Sequence, residues 1–517
     1  MSFSSKGITP LHAVLALGIG LSGCQHVPMQ TLERKDARAS VETGNLRVSI
    51  RWPERQERGL QAIPMAADEA TLRVTDAQGT LLDTRRVSRT SQVGSTSASL
   101  DLPPGLDYRL SASMTGAEGE VMAIGQSAPF AITPNQATTV PLRLVPILTS
   151  VAGTGLDAFA GEGILATEAA IQNPSSVGTD AAGNLYVAVR KISGTYGNVI
   201  RKVSPDGRIT TVVGLPPGSS EPYQEGDGVP ARYTQLLSPS GVAVTPAGDL
   251  LISDERYGVT PKSYRILYVP AREGVRFGKE MRAGHGYVIY TSPYAIASVA
   301  LGEDASVYAA VRNWVVRVDA NGTPETVAGI EGQANGGTGE DGPATQSDLK
   351  IPDGLALDRH GNLIVSDRSN HRIRMLCRVP GTYYGVPMQA GWIYTIIGLK
   401  ASSAWQRTST LFPIVDGKRG LESSLNFPRG VVLDAIGNLY VADSSNNLIR
   451  RLSTDGTLVN VAGTGKPTRL GKEVEPLGDG GPSLEATFCF PGGLAIGPLG
   501  ALYVADSSNN LVRRMRL

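Results

Sequence analysis

The sequence predicts an all-β chain in which a six-bladed β-propeller, residues 147–517, follows a small antiparallel β-sandwich at 45–146. Three observations predict this. A strand-like phrase recurs six times in the C-terminal part, short alternating apolar runs fill the part before it, and the start of the repeat region matches an outer strand that the last repeat lacks. The 61 glycines and 33 prolines suit many short strands joined by tight turns.

The repeat is clearest in Asn438-Leu439-Tyr440-Val441-Ala442-Asp443 and Ala501-Leu502-Tyr503-Val504-Ala505-Asp506, each followed by Ser-Ser-Asn-Asn-Leu. Looser copies are Asn184–Ala188, Asp249–Asp254, Ser306–Ala310 and Asn362–Asp367. Their second residues fall at 185, 250, 307, 363, 439 and 502, a spacing that fits about four strands with loops of variable length. In the fifth copy, Gly430–Asp434 reads as the inner strand, Leu439–Asp443 as the second, Leu448–Leu452 as the third and Leu458–Ala462 as the outermost. The last copy stops at Leu517 after its third strand. Ile147–Gly153 matches Gly456–Gly463, so it is expected to supply the missing outer strand and close the ring by pairing two bare edges.

This pattern resembles the NHL repeats found in many secreted and surface proteins, over about 370 residues. Before it, Leu46–Ile50, Ala70–Val74 and Thr139–Leu144 alternate apolar and polar residues between turn signals such as Asp76-Ala77-Gln78-Gly79, as antiparallel strands do. Leu102-Pro103-Pro104-Gly105-Leu106-Asp107-Tyr108-Arg109-Leu110 resembles the turn and tyrosine strand of transthyretin-like and carboxypeptidase-regulatory-like modules. The resemblance implies a spacer domain; a binding role is the other reading.

The first 23 residues read as a targeting segment. Lys6 precedes an apolar stretch, Leu11–Leu21, too short to span a bilayer. Leu21-Ser22-Gly23-Cys24 resembles a bacterial lipobox, which implies a lipid on Cys24, a polar tether over 24–44, and export to the cell envelope. Gln25 rather than Asp after the cysteine favours the outer membrane in a Gram-negative host. The 48 basic and 47 acidic residues nearly balance, so no nucleic-acid partner is expected.

Three sets of side chains could carry chemistry. Glu162, Asp227, Glu340, Asp416 and Asp479 each lie in a glycine-rich turn twelve positions before a proline that opens the next inner strand; the third copy, with Pro293, lacks one. Strand parity puts these acids on one face with Asp254, Asp367, Asp443 and Asp506. They could form a cation-binding rim, for which Ca²⁺ is the fitting ion, or simply accept backbone N–H groups in turns. Arg201, Arg317, Arg374, Arg450 and Arg513 recur in third strands, with Leu267 in the second copy; they read as an anionic-ligand stripe or as stems packed between blades. Some propellers of similar shape, the streptogramin and amidating lyases, depend on histidines near the axis. Here His285, His360 and His371 fall in different loops, so an acid–base pair or shared metal is not expected. Cys377 and Cys489 read as buried or isolated thiols. No catalytic residue and no cofactor are expected. The sequence favours a non-catalytic binding or scaffolding protein that presents loops to a protein or glycan; the alternative is a metal-dependent lyase or lactonase with its site at the propeller axis.

Overall fold

The computed structural model describes residues 44–51, 67–88, 95–116, 120–133, 136–138, 140, 145–190, 197–224, 226–255, 263–332, 341–399, 416–466 and 477–517. The chain divides into two compact units, Met1–Glu42 and Thr43–Leu517, and all described residues belong to the second. The targeting segment, Cys24, nearly all of the tether and Glu340 lie outside the described residues. Among the described residues regular structure is β-strand and three-residue 3₁₀ turns, and no helix is long and apolar enough to cross a membrane.

Five separate antiparallel sheets form blades, each built outward from an inner strand. Blade 1 is Pro174–Thr179, Leu185–Val189, Val199–Val203 and Ile209–Val213. Blade 2 is Pro239–Val244, Leu250–Glu255, Tyr264–Val269 and His285–Ser292. Blade 3 is Ile296–Leu301, Val307–Val311, Trp314–Val318 and Pro324–Gly329. Blade 4 is Leu355–Leu357, Leu363–Asp367, Arg372–Leu376 and Trp392–Ile397. Blade 5 is Val431–Leu433, Leu439–Asp443, Leu448–Leu452 and Thr457–Ala462.

The expected sixth blade is not a separate sheet. Pro491–Ile496, Ala501–Asp506 and Leu511–Arg516 belong to a ten-stranded sheet that continues through Val145–Ala152 into the N-terminal strands. The reason is that Val145–Ala152 uses both of its edges. It pairs with Leu511–Arg516 on one side, Met515 opposite Leu148, and with Val121–Gln126 on the other, Ala123 opposite Pro146. The six-bladed reading is therefore corrected to five free-standing blades and one composite sheet. The larger sheet of the N-terminal strands runs on through Val145–Ala152 into the propeller. The N-terminal strands nonetheless bury one core. Leu46, Leu100 and Leu102, from the three-stranded sheet, share it with Leu72, Val74, Leu110 and Met114. Tyr108 donates its hydroxyl proton to the Pro103 carbonyl (2.9 Å) and lies over Gly105, where a Cβ would fall 2.6 Å from the Tyr108 hydroxyl oxygen.

Blades stack face to face, which explains the repeat phrase. A second strand covered on both faces has no polar side to show, so Leu185–Val189, Val307–Val311, Leu363–Asp367 and Leu439–Asp443 are buried throughout rather than alternating. Pro174, Pro239 and Pro491 open their inner strands, Pro352 and Pro428 stand three residues before Leu355 and Val431, and blade 3 departs in register. There Ile296 stands opposite Val311, as Pro174 stands opposite Val189, so Pro293 lies three residues too early. Blades approach closely at the inner strands: a Cβ on Gly354 would meet Arg429 O at 2.2 Å, and one on Gly430 would meet Gly492 O at 2.5 Å. Four 3₁₀ turns, Ala231–Tyr233, Ala344–Gln346, Gly420–Glu422 and Ser483–Glu485, each follow a two-residue strand that covers an outer edge.

Replacing Gly430 by alanine should lower the unfolding free energy by about 1–3 kcal/mol, since backbone and not a flexible side chain must yield. A urea midpoint unchanged from wild type would contradict this close approach.

Candidate functional site

The inner strands surround a small axial cavity of ≈ 60 Å³. Its walls are short side chains and backbone, including Ser175, Ser240, Ser298, Gly354, Gly430 and Gly493, with Asp353 as the ionisable group in the lining. The first carbonyl of an inner strand is held by the preceding blade: Ser175 Oγ donates to Pro239 O (2.9 Å), Ser240 to Ile296 O (2.8 Å), Ser366 to Pro428 O (2.8 Å) and Ser444 to Pro491 O (2.5 Å). Ser507 donates to Pro174 O (2.7 Å), joining the composite sheet to blade 1.

The residue at the entry to the inner strand is strained in four copies, Asn173, Ile351, Phe427 and Phe490, and in the last three it is exposed. Ile351, Phe427 and Phe490 adopt φ of 48°, 47° and 50°, a left-handed conformation that a bulky side chain before or beside proline rarely takes. They are 46%, 40% and 49% exposed. The preceding blade imposes the strain by accepting their backbone N–H groups: Asn313 Oδ1 for Ile351 (3.2 Å), His371 Nδ1 for Phe427 (3.2 Å) and Asn447 Oδ1 for Phe490 (3.0 Å). Asn510 does the same for Asn173 (2.8 Å). Three consecutive entries to inner strands thus carry an exposed apolar side chain, an apolar arc where strain of this kind is often tied to function.

Charge enters the mouth at one point. Asp353 Oδ2 accepts from Arg429 Nε (3.0 Å) and lies 3.9 Å from Arg368 Nε. The Arg368 guanidinium carbon sits 5.8 Å from the Phe427 ring centroid, and the His371 ring meets Phe427 edge-on at 4.4 Å. Burial, and then the neighbouring Arg429 charge, lower the Arg368 pKa against the pull of Asp353. These three residues were not singled out from the sequence. A signal existed: aligned on the strand starts, the next position reads Ser175, Ser240, Ala297, Asp353, Arg429, Gly492, with two adjacent opposite charges among small residues.

The acidic turns serve their own blades. Each outer strand carries a β-bulge at the same place, and a bulge leaves a ladder N–H without its usual partner. Glu162 accepts the N–H of Thr211 (3.0 Å), Asp227 that of Val288 (2.8 Å) and Asp416 that of Asn460 (2.7 Å). Asp341, beside the expected Glu340, accepts from Thr395 (3.4 Å), and Asp479 pairs with Arg513 (2.5 Å). Among the described residues no three Asp, Glu, His or Cys side chains are grouped to hold a metal ion. Asp254, Asp367, Asp443 and Asp506 are fully buried and accept backbone N–H groups of the segment entering their own inner strand, as Asp443 does from Asn426 (2.7 Å).

The recurrent arginines Arg201, Arg374, Arg450 and Arg513 are also fully buried. Three donate to carbonyls of the same entry segments, Arg374 to Asp348 (3.3 Å), Arg450 to Ser424 (3.1 Å) and Arg513 to Thr487 (3.0 Å), and Arg201 to the Ala160 carbonyl beside Glu162 (3.3 Å). Arg317 is less covered and pairs with Asp304 (2.6 Å). Blade 2 keeps its arginine two residues before Leu267: Arg265 pairs with Asp254 (2.9 Å). The histidines have separate partners, His285 Nδ1 at Ala283 O, His360 beside Arg359 and His371 at Phe427. Cys377 and Cys489 are buried thiols, and burial raises both thiol pKa values. The inserted hairpins Gly274–Met281 and Gly381–Met388 dock on the next blade through Phe277, whose N–H meets Ala320 O (3.1 Å), and Tyr384, whose hydroxyl meets Gly437 O (2.9 Å).

This architecture defines a β-propeller. Its repeats support the NHL type: the NHL repeat model matches residues 349–375, 425–452 and 488–515. Teneurin-1 of Homo sapiens is 25% identical over 252 residues, 44% of this chain and 9% of that protein; the chain spans about a tenth of the length of the curated relatives it matches. Among solved structures, an auxiliary nutrient binding protein from Bacteroides ovatus is 13% identical with a TM-score of 0.48, covering 92% of this chain and 97% of that one. Virginiamycin B lyase from Staphylococcus aureus is 13% identical with a TM-score of 0.38, covering 72% and 99%.

Burial pushes the Asp443 and Asp506 carboxyls up to about 6 from the ordinary 3.8, against the pull of their hydrogen bonds and of Arg450 and Arg513. A folded-state pKa above the unfolded one means that the native state binds more protons in that interval. Their contribution is full below about 4, falls as pH rises to about 6, and is constant above. The D443N/D506N variant should therefore show a flatter thermal midpoint between pH 4 and 6 than wild type; an identical slope would contradict the assignment.

Proposed function

We propose that this chain is a non-catalytic binding or scaffolding protein of the bacterial cell envelope, exported and held by a lipid on Cys24, with its propeller presenting the axial-mouth face to a protein or glycan partner. The observation that carries the reading is the arc of Ile351, Phe427 and Phe490. Large apolar side chains held exposed by backbone strain do not serve the core. Support also comes from the cavity lining, where the one carboxylate is already paired with Arg429. The shared strand Val145–Ala152 would make the N-terminal strands a stiff spacer between anchor and propeller. A Ca²⁺ rim at the acidic turns is less favoured, since their carboxylates already serve bulge N–H groups.

Two measurements test the reading. Wild type should incorporate labelled palmitate and fractionate with membranes, and C24A should do neither; a C24A protein that still takes up label would sink the anchor. On glycan and peptide arrays, the full chain should retain a ligand without converting it, and F427A/F490A should lose at least about tenfold in affinity, as removal of exposed aromatic anchors does. Turnover of a captured ligand, or a thermal midpoint lowered by EDTA and restored by Ca²⁺ or Zn²⁺, would instead favour a metal-dependent lyase or lactonase.

A further inference from the structure

The charged point at the axial mouth has one guanidinium too many for its structural role. In the other blades the position after the strand start is small, and Ser175 and Ser240 spend their hydroxyls on the next blade. At Asp353 and Arg429 the neighbouring serines Ser366 and Ser444 make those bonds, so neither charged side chain is needed for them. Asp353, with a 14% exposed side chain, satisfies Arg429 Nε. Arg368 is drawn to the same oxygen but stops at 3.9 Å, and among the described residues its Nε has no hydrogen-bond partner. Two guanidiniums against one carboxylate leave one net positive charge beside a cavity of ≈ 60 Å³, under an exposed aromatic ring.

We propose that Arg368 and Arg429 form an anion site that takes the carboxylate of a small organic acid, with Phe427 and Ile351 receiving the acid's apolar or ring body. A planar carboxylate suits forked guanidinium donors, and a single negative charge matches the surplus. The partly covered setting makes that match stronger than on an open surface. Asp353 positions the two arginines by holding like charges together, and does not itself touch the ligand. His371, whose Nδ1 accepts the Phe427 N–H, carries its neutral-ring proton on Nε2 and holds the Phe427 backbone in place. This proposal deepens the binding reading above by naming a ligand class for the same face.

The test is isothermal titration of the full chain with phenylacetate, galacturonate and inorganic phosphate as separate probes. At least one carboxylate should bind saturably, with phenylacetate alone marking an apolar acid and galacturonate alone a sugar acid. R368Q and R429Q should each weaken binding by about tenfold or more, the scale of a lost charge-assisted hydrogen bond, and D353N should tighten it. A purely structural ion pair would leave all three affinities alike, or absent. Folding is checked by thermal midpoint, and Arg368→Lys, which keeps charge but loses the fork, should recover only part of the loss. Preference for phosphate, no saturable binding of either carboxylate, or binding by R368Q and R429Q as tight as wild type would overturn the site. Array capture of a partner sensitive to F427A but not to R368Q would leave the binding reading standing without it; a carboxylate bound and then converted would do the reverse.

Discussion

Everything in this ring depends on how one blade grips the next at the axis. The Ser507 hydroxyl donates to the Pro174 carbonyl and Asn510 accepts the Asn173 N–H, joining residues more than three hundred positions apart. Comparable bonds occur at the other junctions, by serine between blades 1 and 2 and between 2 and 3, by Asn313 between 3 and 4, and by both kinds further on. Each satisfies a backbone group that stacking removes from water, where an unmet donor or acceptor would be costly. The inner strands approach so closely that several positions admit only glycine, and this closeness leaves the axial cavity small.

Within a blade, a second set of polar groups does a different task. The acid in the turn meets the N–H released by the outer-strand bulge, the buried aspartate fixes the entry segment, and the buried arginine ties the carbonyls of that segment. Charged residues at these places recur because each supplies a donor or acceptor to backbone that has no ladder partner. Their desolvation is tolerated through those hydrogen bonds; burial makes Asp443 and Asp506 resist ionisation although those bonds and the facing arginines pull the other way.

Against that regularity, the mouth between blades 4 and 5 stands out. Asp353, Arg368 and Arg429 do not belong to the repeating polar scheme, and Phe427 lies among them with an exposed ring. The Phe427 N–H donates to His371 Nδ1 across the junction of blades 4 and 5, and the same residue exposes its aromatic side chain. Structure and binding surface are coupled at one residue.

The phrase Leu-Tyr-Val-Ala-Asp, the spacing of its copies and the strand at 147–153 were enough to read an all-β propeller, because a strand buried on both faces must be apolar throughout. The turn acids and third-strand arginines were visible for the same reason, as periodic departures from apolarity. Their partners were not visible, since a bulge and a carbonyl are backbone features that side-chain types do not mark. Nor could sequence show that Val145–Ala152 would bond on both edges, joining a sixth blade and the N-terminal strands into one sheet; edge use is decided by which strand arrives beside it. Asp353, Arg368 and Arg429 are scattered over 76 residues, and their meeting follows only from two blades being brought together at the axis. Local pattern determined the blades of this protein, and stacking decided the site.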